Sequence, residues 1–370
     1  MDIQRVLTDF FEGGHHWLGP DVVCRPRNVG GQNLMHIPSR IMAFRISTIK
    51  RLLYSECVPW RPLTNACLQK VEGLKYDREL FLIDLQHVDM SQLPSFHQSL
   101  LNAWQVLGVQ RLEVSYDAQK FVHEPLVRNP LFSRISTSRS FMHCFTSVGI
   151  NRVRDLLHPS LNAWLPVSSL SSKTGVRSAR IVENVLKAVI QTFHRLNIGW
   201  TGVDEVVDSR LYFPELQIAS KKQEGVFSSN LEEIGVFHVM GKTAIYNICL
   251  EACIPSFTKL LKNRWNETLP AGAFLTPVWN KMYSSPTLGR TGDLNWRLAH
   301  QALVTQTLLH KFNSSVPISC PFCDLIENVA HVFIECKTLV PLFLFLQQLF
   351  YKFNFVFFLS SLYLWNWGEL

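Results

Sequence analysis

The sequence predicts a mainly α protein with few short strands and one small cysteine-rich knuckle towards its C-terminus. Three observations carry this: apolar residues recur at helical spacing in several long runs, hydrophobic residues make up 47% of the chain against 18% charged, and three cysteines and a histidine crowd into residues 320–336. At 370 residues the chain is long enough to bury a sizeable core.

Taken in order, "SRIMAFRISTIKRLLYS" predicts a helix over 39–55, with Ser39 as its cap and Ile41, Phe44, Ile49, Leu52 and Leu53 on its apolar side. Arg40, Arg45, Lys50 and Arg51 fall on the other side. "LPSFHQSLLNAWQVLG" predicts a second helix closing at Gly108, where a residue without Cβ suits a left-handed C-terminal turn. "VRSARIVENVLKAVIQTFHRLN" predicts a third over 176–197, with Val182, Val185, Leu186, Val189, Ile190 and Phe193 on one stripe. "FHVMGKTAIYNICLEACI" reads as a short strand, a turn at Gly241 and a helix in which Cys249 and Cys253 are packing residues. "DLNWRLAHQALVTQTLLHKF" predicts one helix over 293–312 capped by Asp293. Stretches rich in Pro, Ser and Gly near 159–175 and 268–292 mark joints, and no internal repeat is present. The expected organisation is a helical segment 1–110, a basic helical region with an acidic linker 111–235, a helical segment 236–312, the knuckle 313–340 and an apolar tail 341–370.

The knuckle reads "CPFCDLIENVAHVFIEC", a C-x2-C-x7-H-x4-C spacing. A Cys-x-x-Cys turn offers two thiolates to one ion, and a His and a Cys five residues apart complete a tetrahedron if the chain between them bends. That donor set suits Zn2+, closed on all sides by Cys320, Cys323, His331 and Cys336 and therefore structural rather than catalytic. A redox Cys-x-x-Cys beside an unrelated histidine, or buried cysteines that happen to be neighbours, are the competing readings. Nine cysteines, mostly scattered, fit a reducing compartment better than a disulfide framework. The opening "MDIQRVLTDFFEGG" lacks a basic segment followed by an apolar one, so the expected location is cytoplasmic or nuclear.

The formal charge is +7, unevenly spread. Residues 22–61 hold Arg25, Arg27, Arg40, Arg45, Lys50, Arg51 and Arg61 against Glu56 alone, and residues 119–195 hold eleven Lys or Arg, among them Arg177 and Arg180, against three acids. Such segments bind phosphate backbones by counterion release, although a charged run is also an ordinary solvated face. Other motifs lead nowhere. "MGKT" at 240–243 lacks the first glycine of a phosphate loop, since position 236 is Val236. The acids Asp77, Glu79, Asp84 and Asp89, with His87, are irregularly spaced and read as a solvated face. His15 and His16, beside Trp17, read as turn and packing residues. No hydrolase elbow is present, and nothing points to a small-molecule substrate. The Leu/Phe-rich stretch 339–365 is interrupted by Gln347, Gln348, Lys352 and Asn354, which argues against a membrane span.

The segment "FFEGGHHWLGPDVVCRPRNVGGQNLMHIPSRIMAFRISTIKRLL", with "VEGLKYDRELFLIDL", "SFHQSLLNAWQVL" and the helix-plus-knuckle "DLNWRLAHQALVTQTLLHKFNSSVPISCPFCDLIENVAHVFIEC", resembles the C-terminal region of a non-LTR retrotransposon reverse transcriptase, of the long interspersed element class. The likeness covers most of residues 8–350, and the knuckle with its preceding helix is its most specific part. It implies the segment that follows the polymerase thumb, where Gly-Gly-x-x-Leu precedes a basic helix, together with a Cys-Cys-His-Cys zinc knuckle and RNA or another nucleic acid as partner. The family's polymerase needs paired aspartates to hold its metal ions, and this chain has no Asp-Asp pair. A counterpart of the family's nuclease domain is also missing. The expectation is therefore a non-catalytic zinc-containing nucleic-acid-binding fragment, with Arg40, Arg45, Lys50, Arg51, Arg177 and Arg180 as contacts. The alternative is an inert or protein-interaction remnant whose knuckle is only structural.

Overall fold

A computed structural model describes residues 2–12, 18–113, 116–132, 135, 139–158, 163–176, 178–200, 213–218, 236–254, 279–284 and 289–352. The architecture is mainly α. One two-stranded antiparallel sheet is present among these residues, Val109–Arg111 paired with Leu216–Ile218 in the register Val109 to Ile218. The chain divides into two compact units, Met1–Ile37 with Cys253–Leu370, and Pro38–Ala252.

In the second unit the helices Ile37–Tyr54, Ser95–Leu107 and Ala179–Arg195 supply about a third of the core, and the short helices and turns between them supply the rest. Ile46, Ile49, Leu52, Leu100, Leu101, Val182 and Val189 are buried there, with Phe121, Phe193 and Phe237 among them. Gly108 ends its helix in the left-handed conformation, φ 59°, as the sequence predicts. The expected stripe of the 179–195 helix is buried apart from the half-buried Ile190.

Buried ions are stitched in pairs. Arg111 forks onto Glu124 at 3.0 and 2.9 Å, and Glu124 also accepts from the Tyr116 hydroxyl and from Asn129 Nδ2 at 2.6 Å. Arg152 bonds Glu79 at 2.6 Å. Asp77 and Glu79 are thus not a solvated face. Glu79 is buried against its arginine, and Asp77, half-buried, accepts from the Arg78 amide and so caps the turn that follows. Asp84 and Asp89 are exposed and cap local turns, with Gln86 and Ser91 amides donating to them.

Four other expectations are corrected. Ser39 is not a cap: the helix begins at Ile37, and the buried Ser39 hydroxyl donates to the Cys249 carbonyl. That helix is also turned about its axis from the predicted face, burying Ala43 and Ile46 and leaving Ile41 and Phe44 exposed at 52% and 61%. The stretch 237–239 is a 3-10 turn rather than a strand, followed by the expected helix Lys242–Cys253, in which Cys249 is buried and Cys253 exposed. The single helix predicted over 293–312 is two, Gly289–Ala299 and Gln306–Phe312, and Asp293 lies inside the first rather than at its cap. The break has a local cause: Gln301 adopts φ 52°, and Thr305 caps the second helix through its hydroxyl.

In the first unit the N-terminal residues pack with residues from beyond 279. Trp296 Nε1 donates to the Gly30 carbonyl at 2.8 Å, and His300 Nε2 approaches the same oxygen at 2.7 Å. His15, His16 and Trp17, expected in a turn, and the tail beyond Lys352 lie outside the described residues.

Candidate metal centre

The knuckle is a small hairpin followed by a wide turn. Ser319 bridges Ile326, the Cys320 amide donates to the Leu325 carbonyl at 2.7 Å, and Glu327 donates to Ile318 at 2.9 Å. Asp324 takes a left-handed conformation, φ 61°, which folds Cys320-Pro-Phe-Cys323 back so that both thiols lie on one side. Residues His331–Glu335 form a π turn, in which the Cys336 amide donates to the His331 carbonyl at 3.0 Å. This is the bend that the five-residue spacing requires. At α pitch residue 336 would rotate well past residue 331, whereas an i to i+5 bond returns it beneath. Asn328 Oδ1 accepts from the His331 amide at 2.8 Å and fixes where that turn starts.

One ligand atom from each of Cys320, Cys323, His331 and Cys336 lies within 4.8 Å of the others. The Sγ atoms of Cys320 and Cys336 are 4.0 Å apart and those of Cys323 and Cys336 are 3.8 Å apart. A tetrahedron with Zn–S bonds of about 2.3 Å has S–S edges of about 3.8 Å. His331 presents Nε2, 3.1 Å from Cys323 Sγ, somewhat inside the edge expected for a mixed S–N pair. The Thr338 hydroxyl, 2.9 Å from Cys336 Sγ, and the Thr338 backbone draw that thiol down to about 7, towards the thiolate a metal needs. The donor set and its spacing fit zinc, and with four protein donors no position is left for a reacting water.

Beyond the donors the knuckle has little interior. Cys320, His331 and Cys336 are buried, while Phe322, Leu325 and Ile326 are exposed at 75%, 49% and 59%. Glu327 ties the knuckle to the preceding helix. Its carboxylate accepts from the Gln306 amide at 2.9 Å, and its carbonyl accepts from the Thr307 amide at 3.2 Å and from the Thr307 hydroxyl.

The other predicted site residues are scattered in their surroundings. Arg40 and Arg51 are exposed on the Ile37–Tyr54 helix. Arg45 lies half-buried with its guanidinium 4.3 Å over the Phe96 ring. Lys50 donates to the Met240 carbonyl at 2.6 Å, and burial lowers its pKa. Arg180 is exposed in the first turn of the 179–195 helix, and Arg177 lies outside the described residues. The stretch His331–Lys352 is apolar and long enough by composition to cross a membrane, with mean hydropathy 1.4. Its first turns, however, hold two of the metal donors and pass through a π turn and a 3-10 turn before the Val340–Lys352 helix begins.

Residues 259–342 match the family described as zinc-binding in reverse transcriptase. Over 373 aligned residues the chain is 30% identical to the transposon TX1 uncharacterized 149 kDa protein of Xenopus laevis, an alignment that covers 95% of this chain and 28% of the relative. No solved structure matches. Matched along nearly its whole length by a transposon-encoded protein, and through its knuckle by the zinc-binding segment of reverse transcriptases, the chain is a retrotransposon reverse-transcriptase-derived region that carries a structural zinc site.

Proposed function

We propose that this region is a non-catalytic, zinc-stabilised binder of nucleic acid, RNA in the first instance. The observation that carries the reading is the exposed face of the Ile37–Tyr54 helix. Arg40, Phe44 and Arg51 follow one another at helical spacing, Ile41 flanks them, and Phe44 is 61% exposed. Cations beside an exposed aromatic ring suit a strand whose phosphates pair with arginine and whose bases stack. Arg45 and Lys50, engaged by Phe96 and Met240, contribute less on this reading, and Arg180 adds a cation on another helix. The knuckle carries Asp324, Glu327 and Glu335 against Lys337, a poor balance for phosphate contact. The non-catalytic part of the proposal rests on the absence of consecutive aspartates from the sequence.

Filter binding across a salt series tests it. Replacing Arg40 and Arg51 with Ala is expected to weaken binding of unrelated RNA sequences alike and to lower the salt slope by about 0.7 for each single-strand phosphate no longer neutralised. Phe322→Ala alone abolishing binding, with the double variant unaffected, would assign recognition to the knuckle instead. Primer extension with any divalent ion is expected to stay at background. A protein-interaction role is the second reading. It is favoured by the Val340–Lys352 helix, where Phe343 is buried while Leu342, Leu344, Phe345 and Leu349 stand exposed.

A further inference from the structure

The turn that carries Arg27 is held rigidly. Gly30 sits at φ 91°, where a Cβ would come within 2.8 Å of the Trp279 ring, and a Cβ on Gly31 would lie 1.9 Å from the Arg25 carbonyl oxygen. The Gly31 amide donates to Pro26 at 3.0 Å and the Asn33 amide to Arg25 at 2.9 Å. From the far end of the sequence, Trp296 and His300 clamp the Gly30 carbonyl, and Trp279 stacks on His300 at 4.9 Å. Arg27 is exposed on this fixed support, its guanidinium 4.9 Å over the Tyr283 ring.

Tyr283 joins the Arg27 turn to the Gly289–Ala299 helix. Its hydroxyl is bonded by the Gln32 amide and donates to Asp293 Oδ1 at 3.0 Å. Asp293 lies on the Gly289–Ala299 helix, with Arg290 three residues before it and Arg297 four after, hence on the same side. Lys281 is exposed two residues before the tyrosine. Arg27 thus lies over the ring, and Lys281, Arg290 and Arg297 follow on the two segments that the ring joins, with Asp293 as the carboxylate between them. None of the four is in an ion pair among the described residues.

We infer that this surface is a second phosphate-binding site, one that takes the backbone of a single-stranded nucleic acid. Arg290 and Arg297 are separated by about 10.5 Å along the helix axis, too wide for one small anion and wide enough for more than one phosphate of a strand. Arg27 is also presented on backbone already locked in place, so little conformational freedom is lost there when a strand docks. The inference rests on the nucleic-acid reading above, but it concerns another surface, assembled by residues more than 250 positions apart.

The experiment uses the full zinc-loaded chain and a fluorescent oligouridylate, with anisotropy read from 50 to 300 mM salt. Replacing Arg27, Arg290 and Arg297 together with Ala is expected to weaken binding and to lower the salt slope by about two, at roughly 0.7 per phosphate. Asp293→Asn keeps an acceptor for Tyr283 while removing the opposing charge, and is expected to tighten binding at an unchanged melting temperature. A merely structural role for the cluster would not produce that gain. If the parent binds and both variants keep its affinity and slope, the inference is overturned while the broader reading stands. If the parent itself does not bind at 50 mM salt, both fall.

Discussion

Stripping zinc from the 320–336 cluster should unfold the knuckle and leave the rest of the protein folded. The magnitude follows from what else holds residues 318–340 together. The buried side chains described in that stretch are Cys320, His331 and Cys336, all metal donors. Three backbone hydrogen bonds close the hairpin, from Cys320 to Leu325, Asp324 to Cys320 and Glu327 to Ile318, and three more, from Val332 to Asn328, Cys336 to His331 and Leu339 to Cys336, hold the turns that follow. At about 1 kcal/mol net each they supply about 6 kcal/mol. A structural zinc in a small peptide contributes about 10–16 kcal/mol at neutral pH, roughly twice as much. Because Glu327 holds the first turn of the Gln306–Phe312 helix, that helix should loosen together with the knuckle. Amide hydrogen exchange by mass spectrometry, with metal content measured in parallel, reads this directly. Protection across 306–340 should vanish after chelation, and after Cys323→Ser, while the helices at 95–107 and 179–195 keep theirs. Protection across 320–336 that survives once the metal content has dropped to zero would refute this, as would protein that holds no zinc when purified under reducing conditions.

Two further outcomes follow from the second unit. Glu124→Leu removes the acceptor of Arg111, Tyr116 and Asn129 and strands a buried guanidinium, which should cost about 3–5 kcal/mol in urea unfolding. Replacing the Arg111–Glu124 pair together by Met and Leu should recover most of that loss. His123 is held well below the usual histidine range, at about 4, first by burial and then by the nearby charges of Arg154 and Arg152. A base whose folded pKa is depressed binds its proton earlier in the unfolded chain, so its contribution is present above about 6.5 and is lost as pH falls towards 4. In His123→Gln the fall in melting temperature across that window should be shallower than in the parent.

The metal centre was legible in the sequence alone, because donor identity and spacing are local properties and four donors fall within seventeen residues. Strongly periodic helices such as 179–195 were legible for the same reason: an apolar stripe at 3.6 residues per turn is written along one stretch of chain. The same periodicity misplaced the face of the 37–54 helix. Ile41 and Phe44 are as apolar as Ile46, and only the neighbours that pack from elsewhere decide which of them is covered. Those neighbours also drew Arg45 over Phe96 and Lys50 onto Met240, so two of the four cations counted along that helix are engaged within the protein itself. The break at 300–305 was hidden because the left-handed Gln301 that makes it leaves no mark on the apolar period, and the His300 beside it meets the Gly30 carbonyl, a partner 270 residues earlier. The glycine pair at 30–31 was visible as a motif, but its purpose was not. Sequence shows that a Cβ is missing, whereas only the tertiary structure shows Trp279 and the Arg25 carbonyl in the space it would fill, and Arg27 held over Tyr283 as the result.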